Sequence, residues 1–183
     1  MKKFLSIVCV LAIAVSAFAQ DGKKYEIKSG IVKTVTEVMG QKIEATAYFD
    51  NYGALEASKM NTNGMEICTI NKEGKTYVVN YTMKNVQTVP QQAEINFLNL
   101  TEDVMKQYKI GMIGFEKVGE RDCQKYTYEV SAMGQTVKST AWVWKGIALK
   151  NVTEASGMTI TMTVTEIQEN AEIDPAVFEV PTF

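Results

Sequence analysis

The side chains in this sequence that could do chemistry are carboxylates and thiols, because histidine is absent altogether. Without histidine there is no Ser-His-Asp or Cys-His relay and no ordinary zinc site. No G-x-S-x-G, phosphate-cradling glycine loop or calcium-loop pattern occurs either. Acid–base work would fall to a pair of carboxylates of the kind that glycosidases use, drawn from Glu37, Glu44, Asp50, Glu116 and Glu129. Asp50 with Glu129 is the candidate pair, and it requires carboxyls within about 10 Å of each other. Most of these acids alternate with apolar neighbours, the pattern of a charge facing water from a half-buried strand. The residues thus point away from an enzyme, and they call for no cofactor and no metal.

Two thiols lie beyond the first twenty residues, Cys68 and Cys123. In an oxidising compartment they could pair, closing a loop worth roughly 4 kcal/mol. The alternative is two separate buried thiols, each behaving as a small hydrophobe. The formal net charge is −2 and Arg121 is the single arginine, which excludes a basic nucleic-acid surface. No basic cluster is present to hold an anionic membrane.

The start of the chain reads as an address. Met1-Lys2-Lys3 is basic, Phe4 to Val15 is apolar but for Ser6, and Ala17-Phe18-Ala19 has the small-x-small form of a cleavage site. Residues 1–19 are therefore expected to be a signal peptide cut after Ala19, leaving 20–183 as one exported, periplasmic domain. The apolar run is too short to span a bilayer and Cys9 lies within it, so no stable membrane anchor is expected.

Period-two alternation with regular turn signals dominates the rest and predicts about ten antiparallel strands. In "GMTITMTVT", 157–165, Met158, Ile160, Met162 and Val164 share one face and four threonines the other. Tyr77, Val79, Tyr81 and Met83 alternate likewise, as do Tyr126, Tyr128 and Val130. Between Pro90 and Ile110 the spacing changes to that of a helix, with Thr101 as N-cap, Glu102 and Asp103 in the first turn and Gly111 after the last. The fold class is thus mainly β: an antiparallel protein in which the short helical segment could lie across a curved sheet and cover its apolar face. Ile173 to Phe178 reads as a single turn before a last extended piece.

One line is written twice. "MGQKIEATAYF", 39–49, aligns without a gap to "MGQTVKSTAWV", 133–143. Each copy predicts a hairpin turn and a strand with small inner residues, Ala45, Ala47, Ser139 and Ala141 among them. On the opposite face each strand ends in aromatics, Tyr48 in the first and Trp142 with Trp144 in the second. Ten methionines, all but Met1 beyond the leader, add side chains that adapt to irregular apolar shapes. Small inner residues, methionines and a helical cover together suggest an apolar cavity. Its expected lining is Ile43, Ala47, Phe49, Val79, Tyr81, Met105, Val137, Ala141, Met158, Ile160 and Met162. Tyr48, Trp142 and Trp144 would form a rim or partner surface.

Four stretches carry a resemblance: "AYFDNYGALEASKM", "GERDCQKYTYEV", "TAWVWKGIALKNVTE" and the closing "TEIQENAEIDPAVFEVP". They resemble an uncharacterised group of exported Gram-negative proteins similar to the outer-membrane lipoprotein carrier (LolA-like) superfamily. That resemblance implies a strongly curved antiparallel sheet, an unclosed β-barrel, wrapped round helices that cover its concave face, with an apolar cavity between them. The carrier's early-strand arginine has no counterpart here, since Arg121 lies far along the chain beside Asp122. The function expected is a non-enzymatic periplasmic binding protein for an acyl chain, lipid or lipidated protein. The alternative is an envelope docking module with a solid core and an aromatic sheet face as its anchor.

Overall fold

The structure is a computed structural model that describes residues 23–62, 64–90, 94–132, 135–155 and 157–183. The predicted leader, Cys9 included, lies outside the described residues. Eleven strands form one sheet: β1 Gly30–Val38, β2 Gln41–Asp50, β3 Leu55–Thr62, β4 Met65–Lys72, β5 Lys75–Asn80, β6 Asn85–Pro90, β7 Gly111–Val118, β8 Arg121–Ala132, β9 Gln135–Trp144, β10 Ile147–Ala155 and β11 Met158–Glu169. Their order is β6-β5-β4-β3-β2-β1-β11-β10-β9-β8-β7, antiparallel throughout, and the edges β6 and β7 do not meet. This is the mainly β, antiparallel architecture that the alternation predicts and the unclosed sheet that the resemblance implies, with one strand more than counted from sequence.

Turn chemistry fixes the hairpins. Met39 and Gly40 both have positive φ between β1 and β2, as Glu73 and Gly74 do between β4 and β5, the twist that matches right-handed strands. The two copies of the repeated line supply β2 and β9. Each pairs with the strand before it directly beyond the turn, Val38 with Gln41 and Ala132 with Gln135. Residues 133–134, the turn of the second copy, are outside the described residues.

Helix α1, Glu102–Gln107, starts where predicted: the Thr101 hydroxyl accepts from the Val104 N–H at 3.3 Å, and Glu102 and Asp103 occupy the first turn. Asp174 caps a 3-10 turn, Pro175–Phe178, near the end of the chain. No helix among the described residues is long and apolar enough to cross a membrane.

Pairing assigns side chains to faces, because successive Cβ atoms alternate across a strand. The inner face carries Ile43, Ala45, Ala47 and Phe49 of β2. The register continues it through Thr36, Met162, Asn151 and Ala141 to Tyr126. The outer face carries Tyr48, Ala57, Ile70 and Tyr77 in one cross-strand row.

Three apolar clusters hold the sheet. Ile95, Phe97, Leu100, Val104 and Tyr108, from the segment containing α1, pack on Tyr126, Ala141 and Val143 of the inner face. The rings of Phe97 and Tyr126 lie 5.2 Å apart. Ile173, Val177, Phe178 and Val180, from the C-terminal segment, pack on Ala57, Cys68, Ile70 and Val79 of the outer face. Tyr25 and Ile27 join Val32, Phe49, Trp142 and Leu149 in a third cluster.

Cys68 and Cys123 are both free and buried. They sit in different clusters, on β4 and β8, with six strands between them in the sheet. A disulfide needs Cα atoms closer than about 7 Å, so the pairing considered above is excluded and the second reading, two buried thiols, holds. Burial pushes the Cys68 thiol up to about 11 and raises that of Cys123 as well.

Candidate ligand-binding face

The residues expected to line a cavity divide between the two faces. Ile43, Ala47, Phe49, Val137, Ala141, Met158, Ile160 and Met162 all fall on the inner face. Some are already covered: Phe49 packs under the Tyr25 ring at 4.4 Å, and Ala141 is fully buried beside the α1 segment. Ile43, Met158, Ile160 and Met162 remain half-buried. Around them lie the half-buried Thr34, Thr36, Ala45, Ser58, Met60, Ile67 and Thr69.

Three of the expected residues belong elsewhere. Val79 pairs with Cys68 on the outer face and is fully buried beneath the C-terminal segment; Tyr81 packs into the same cluster. The reason is that β3 to β5 bury their outer face, because the C-terminal segment supplies its second layer. Met105 faces solvent from α1, 38% exposed. Val104 and the C-cap residue Tyr108, four positions on, face the sheet instead.

The aromatic rim shares one face, as the repeat predicts, but it is not open. Trp142 is 6% exposed, with the Lys125 and Lys150 ammonium groups 4.5 and 4.8 Å from its ring centroid. Arg121 and Lys145 approach the half-buried Trp144 at 4.8 and 4.5 Å, distances at which a cation is drawn to the ring face. Tyr48 is half-buried at the margin of the cluster under the C-terminal segment.

Charge is partitioned between the faces. Lys33, Glu37, Lys42, Glu44, Lys59 and Glu66 all project outward, as do Lys138, Lys150, Glu154 and Glu166. Among the described strand residues, the inner face carries only Glu56, Lys117, Asp122 and Glu169 as charged side chains. All four stand at one end of the sheet, and each has an ionic partner, in Lys24, Asp122, Lys117 and Lys145 respectively. Away from that end, the described inner-face residues of the strands are apolar, hydroxyl or amide. A short polar network crosses this field. Ser139 and Thr153 share a hydrogen bond of 2.8 Å, and Asn151 Nδ2 donates to the Tyr128 hydroxyl at 2.5 Å. A groove of ≈ 350 Å³ lies instead on the outer side of these strands, lined mainly by Thr127, Glu129, Lys138, Thr140, Val152 and Glu154.

At the charged end, residues 23–29 form a strap across the sheet. Tyr25 N–H donates to Tyr52 O at 3.2 Å and Glu26 N–H to Lys145 O at 3.2 Å, joining the β2–β3 turn to the β9–β10 turn. A Cβ on Gly146, where φ is +84°, would collide with the Lys24 carbonyl oxygen. The buried Lys24 ammonium donates to both carboxylate oxygens of Glu56, at 2.8 and 2.7 Å, and is paired with Glu94. The Tyr25 hydroxyl donates to Glu56 at 2.6 Å. One oxygen of Glu94 is buried without a hydrogen-bond partner. Burial pushes the Glu94 carboxyl up to about 8; Lys24 opposes that rise and Glu56 adds to it.

Sequence reasoning passed over this cluster, since Lys24, Glu56 and Glu94 lie far apart in the chain and share no spacing. The carboxylate pair it did consider is not assembled. Asp50 ends β2 and accepts from Asn51 N–H, while Glu129 on β8 pairs with Lys109 at 2.6 Å, and β1, β11, β10 and β9 lie between. Among the described residues, no three His, Cys, Asp or Glu side chains come together as a metal site.

No protein-family model and no curated protein sequence matches the chain. Among solved structures, it is similar to an uncharacterised conserved protein from Thermus thermophilus, with a TM-score of 0.61 and 12% identity over 96% of this chain and 94% of that one. It is also similar to MucB of Pseudomonas aeruginosa, solved as the MucA/MucB complex, with a TM-score of 0.56 and 13% identity over 87% of this chain. The chain spans 57% of that matched protein. A lipoprotein-sorting protein domain from Vibrio parahaemolyticus aligns over 95% of this chain and 94% of its own, at 9% identity and a TM-score of 0.43. At these identities the likeness to the first two is one of fold.

Proposed function

We propose that this chain is a non-enzymatic binding protein of the cell envelope, holding an acyl chain, a lipid or a lipidated protein on its inner sheet face. The observation that carries the reading is the half-buried, uncharged field around Ile43, Met60, Ile160 and Met162, bordered by the α1 segment and the strap. Each methylene buried there contributes about 0.8 kcal/mol, so a long acyl chain reaches micromolar affinity without an ionic contact. In this reading residues 1–19 are an export signal cut after Ala19, and 20–183 form the single periplasmic domain. The test is mass spectrometry of an organic extract of the gently purified protein beside its native mass. A stoichiometric lipid is the expected result. An empty protein that also takes up no added acyl ligand would end the proposal.

A second reading, a docking module for another envelope protein, is favoured by one place. Met112, Ile113 and Phe115 on the open edge strand β7 are 48, 56 and 71% exposed, and an exposed apolar edge strand is a template for pairing. MucB is described in complex with MucA. In this reading β7, rather than the covered Trp142, is the anchor.

A further inference from the structure

The ligand of the inner face can be narrowed by charge. This step rests on the binding proposal above. An eleven-stranded sheet that faced water on both sides would scatter lysine and glutamate over both. Here they crowd the outer face, and the inner-face exceptions are confined to the strap end, each neutralised by a named partner. Between the covers, the half-buried field alternates methyl-bearing side chains with Thr34, Thr36, Ser58, Asn151 and Thr153. Such a surface can wet an acyl chain and also donate to or accept from ester, amide and hydroxyl groups. Its described side chains offer no ammonium or guanidinium to a carboxylate or phosphate. Moving an unpaired anion from water onto it is strongly unfavourable, so an acid would bind only in its protonated form.

We propose that the inner face selects amphiphiles without net charge, acyl esters or amides, over fatty acids and other anionic lipids. The esterified chain lies along Ile43, Met60, Ile160 and Met162, and its polar linkage meets the hydroxyls of Thr36 and Thr153 or the Asn151 amide. An acyl ester on free glycerol and one on a peptide present this same chemistry.

Equilibrium dialysis at pH 8 with a monoacylglycerol and the fatty acid of the same chain length, each below its micellar concentration, tests the selectivity. The ester is expected to bind at least tenfold more tightly. A peptide carrying the same acyl group, run in parallel, tells the two sources apart by which binds better. Equal or tighter binding of the fatty acid overturns the selectivity and leaves the acyl-binding reading standing. Binding of none of the three overturns both. Thr36→Lys places a cation between Ile43 and Met162 and is expected to reverse the order, gaining the acid and losing the ester. Met162→Lys does the same from the next strand should the first variant fail to fold. A folded variant that leaves the order unchanged overturns the assignment of this field.

Discussion

The two wings of the sheet are covered on opposite sides. In β7 to β10 the added layer is the segment containing α1, and it lies on the inner face against Tyr126, Ala141 and Val143. In β2 to β6 the added layer is the C-terminal segment, and it lies on the outer face against Ala57, Cys68, Ile70 and Val79. The strands being covered are alike, to the point that β2 and β9 repeat the same line. What differs is which neighbour in the chain arrives to cover them. The consequence is an uneven inner face, closed at one wing and half-open at the other. A binding field in this fold therefore comes from withholding a layer rather than from carving a hollow in a filled core.

Removing the anchor of the outer layer puts this asymmetry under the greatest load. Phe178→Ala empties a site where the ring is 5% exposed, and should cost about 3–5 kcal/mol in urea unfolding. Val104→Ala, half-buried under the inner layer, should cost well under half of that. Equal losses would mean that the two covers are equally fixed and that the inner one is not the weaker layer.

A second probe separates the covers by pH. Glu94 sits in the inner cover, and its carboxyl, pushed up to about 8 by burial, titrates far above its ordinary 4.5. The unfolded chain releases this proton first as pH rises. The stability contributed is therefore full below 4.5 and is lost as pH climbs towards 8, by about 1.4 kcal/mol per pH unit. Glu94→Gln, which mimics the protonated acid, should flatten that slope between pH 5 and 8. Hydrogen exchange, corrected for intrinsic rates, should loosen over 94–110 in the parent protein and stay constant over 173–180. A parallel loss in both segments would show that they open as one unit.

The smallest effect belongs to the cap of α1. Thr101→Ala removes the acceptor for Val104 N–H and should cost about 1 kcal/mol, with faster exchange in the helix and none of the outer layer's amides affected. A change spread across both wings would contradict the independence of the two covers.

These contrasts also mark what could be read from the chain itself. Alternation gave the strands and their companions on each face, and Thr101 with Glu102 and Asp103 placed the helix start, because both signals are local. Alternation does not say which of two faces will be covered. Val79 shares a face with Tyr77 on any reading, but only the arrival of Phe178 and Val177 makes that face the buried one. The same blindness put Tyr48 and Trp142 on an open surface. The Lys24, Glu56 and Glu94 cluster had no local signature, since its members meet only after the strap, β3 and the inner cover have come together.

The pairing of β1 with β11 has a consequence in time. As a chain emerges N-terminus first, β1 to β6 can zip into successive hairpins, yet β1 keeps a bare edge until the final strand is delivered more than a hundred residues later. Closing so long a loop is entropically slow, and the waiting intermediate exposes both an unpaired strand and apolar side chains, the features that drive aggregation. Folding of this sheet should thus wait on its last strand, and a chain cut short before Met158 would remain a sticky half-sheet rather than a smaller version of the protein.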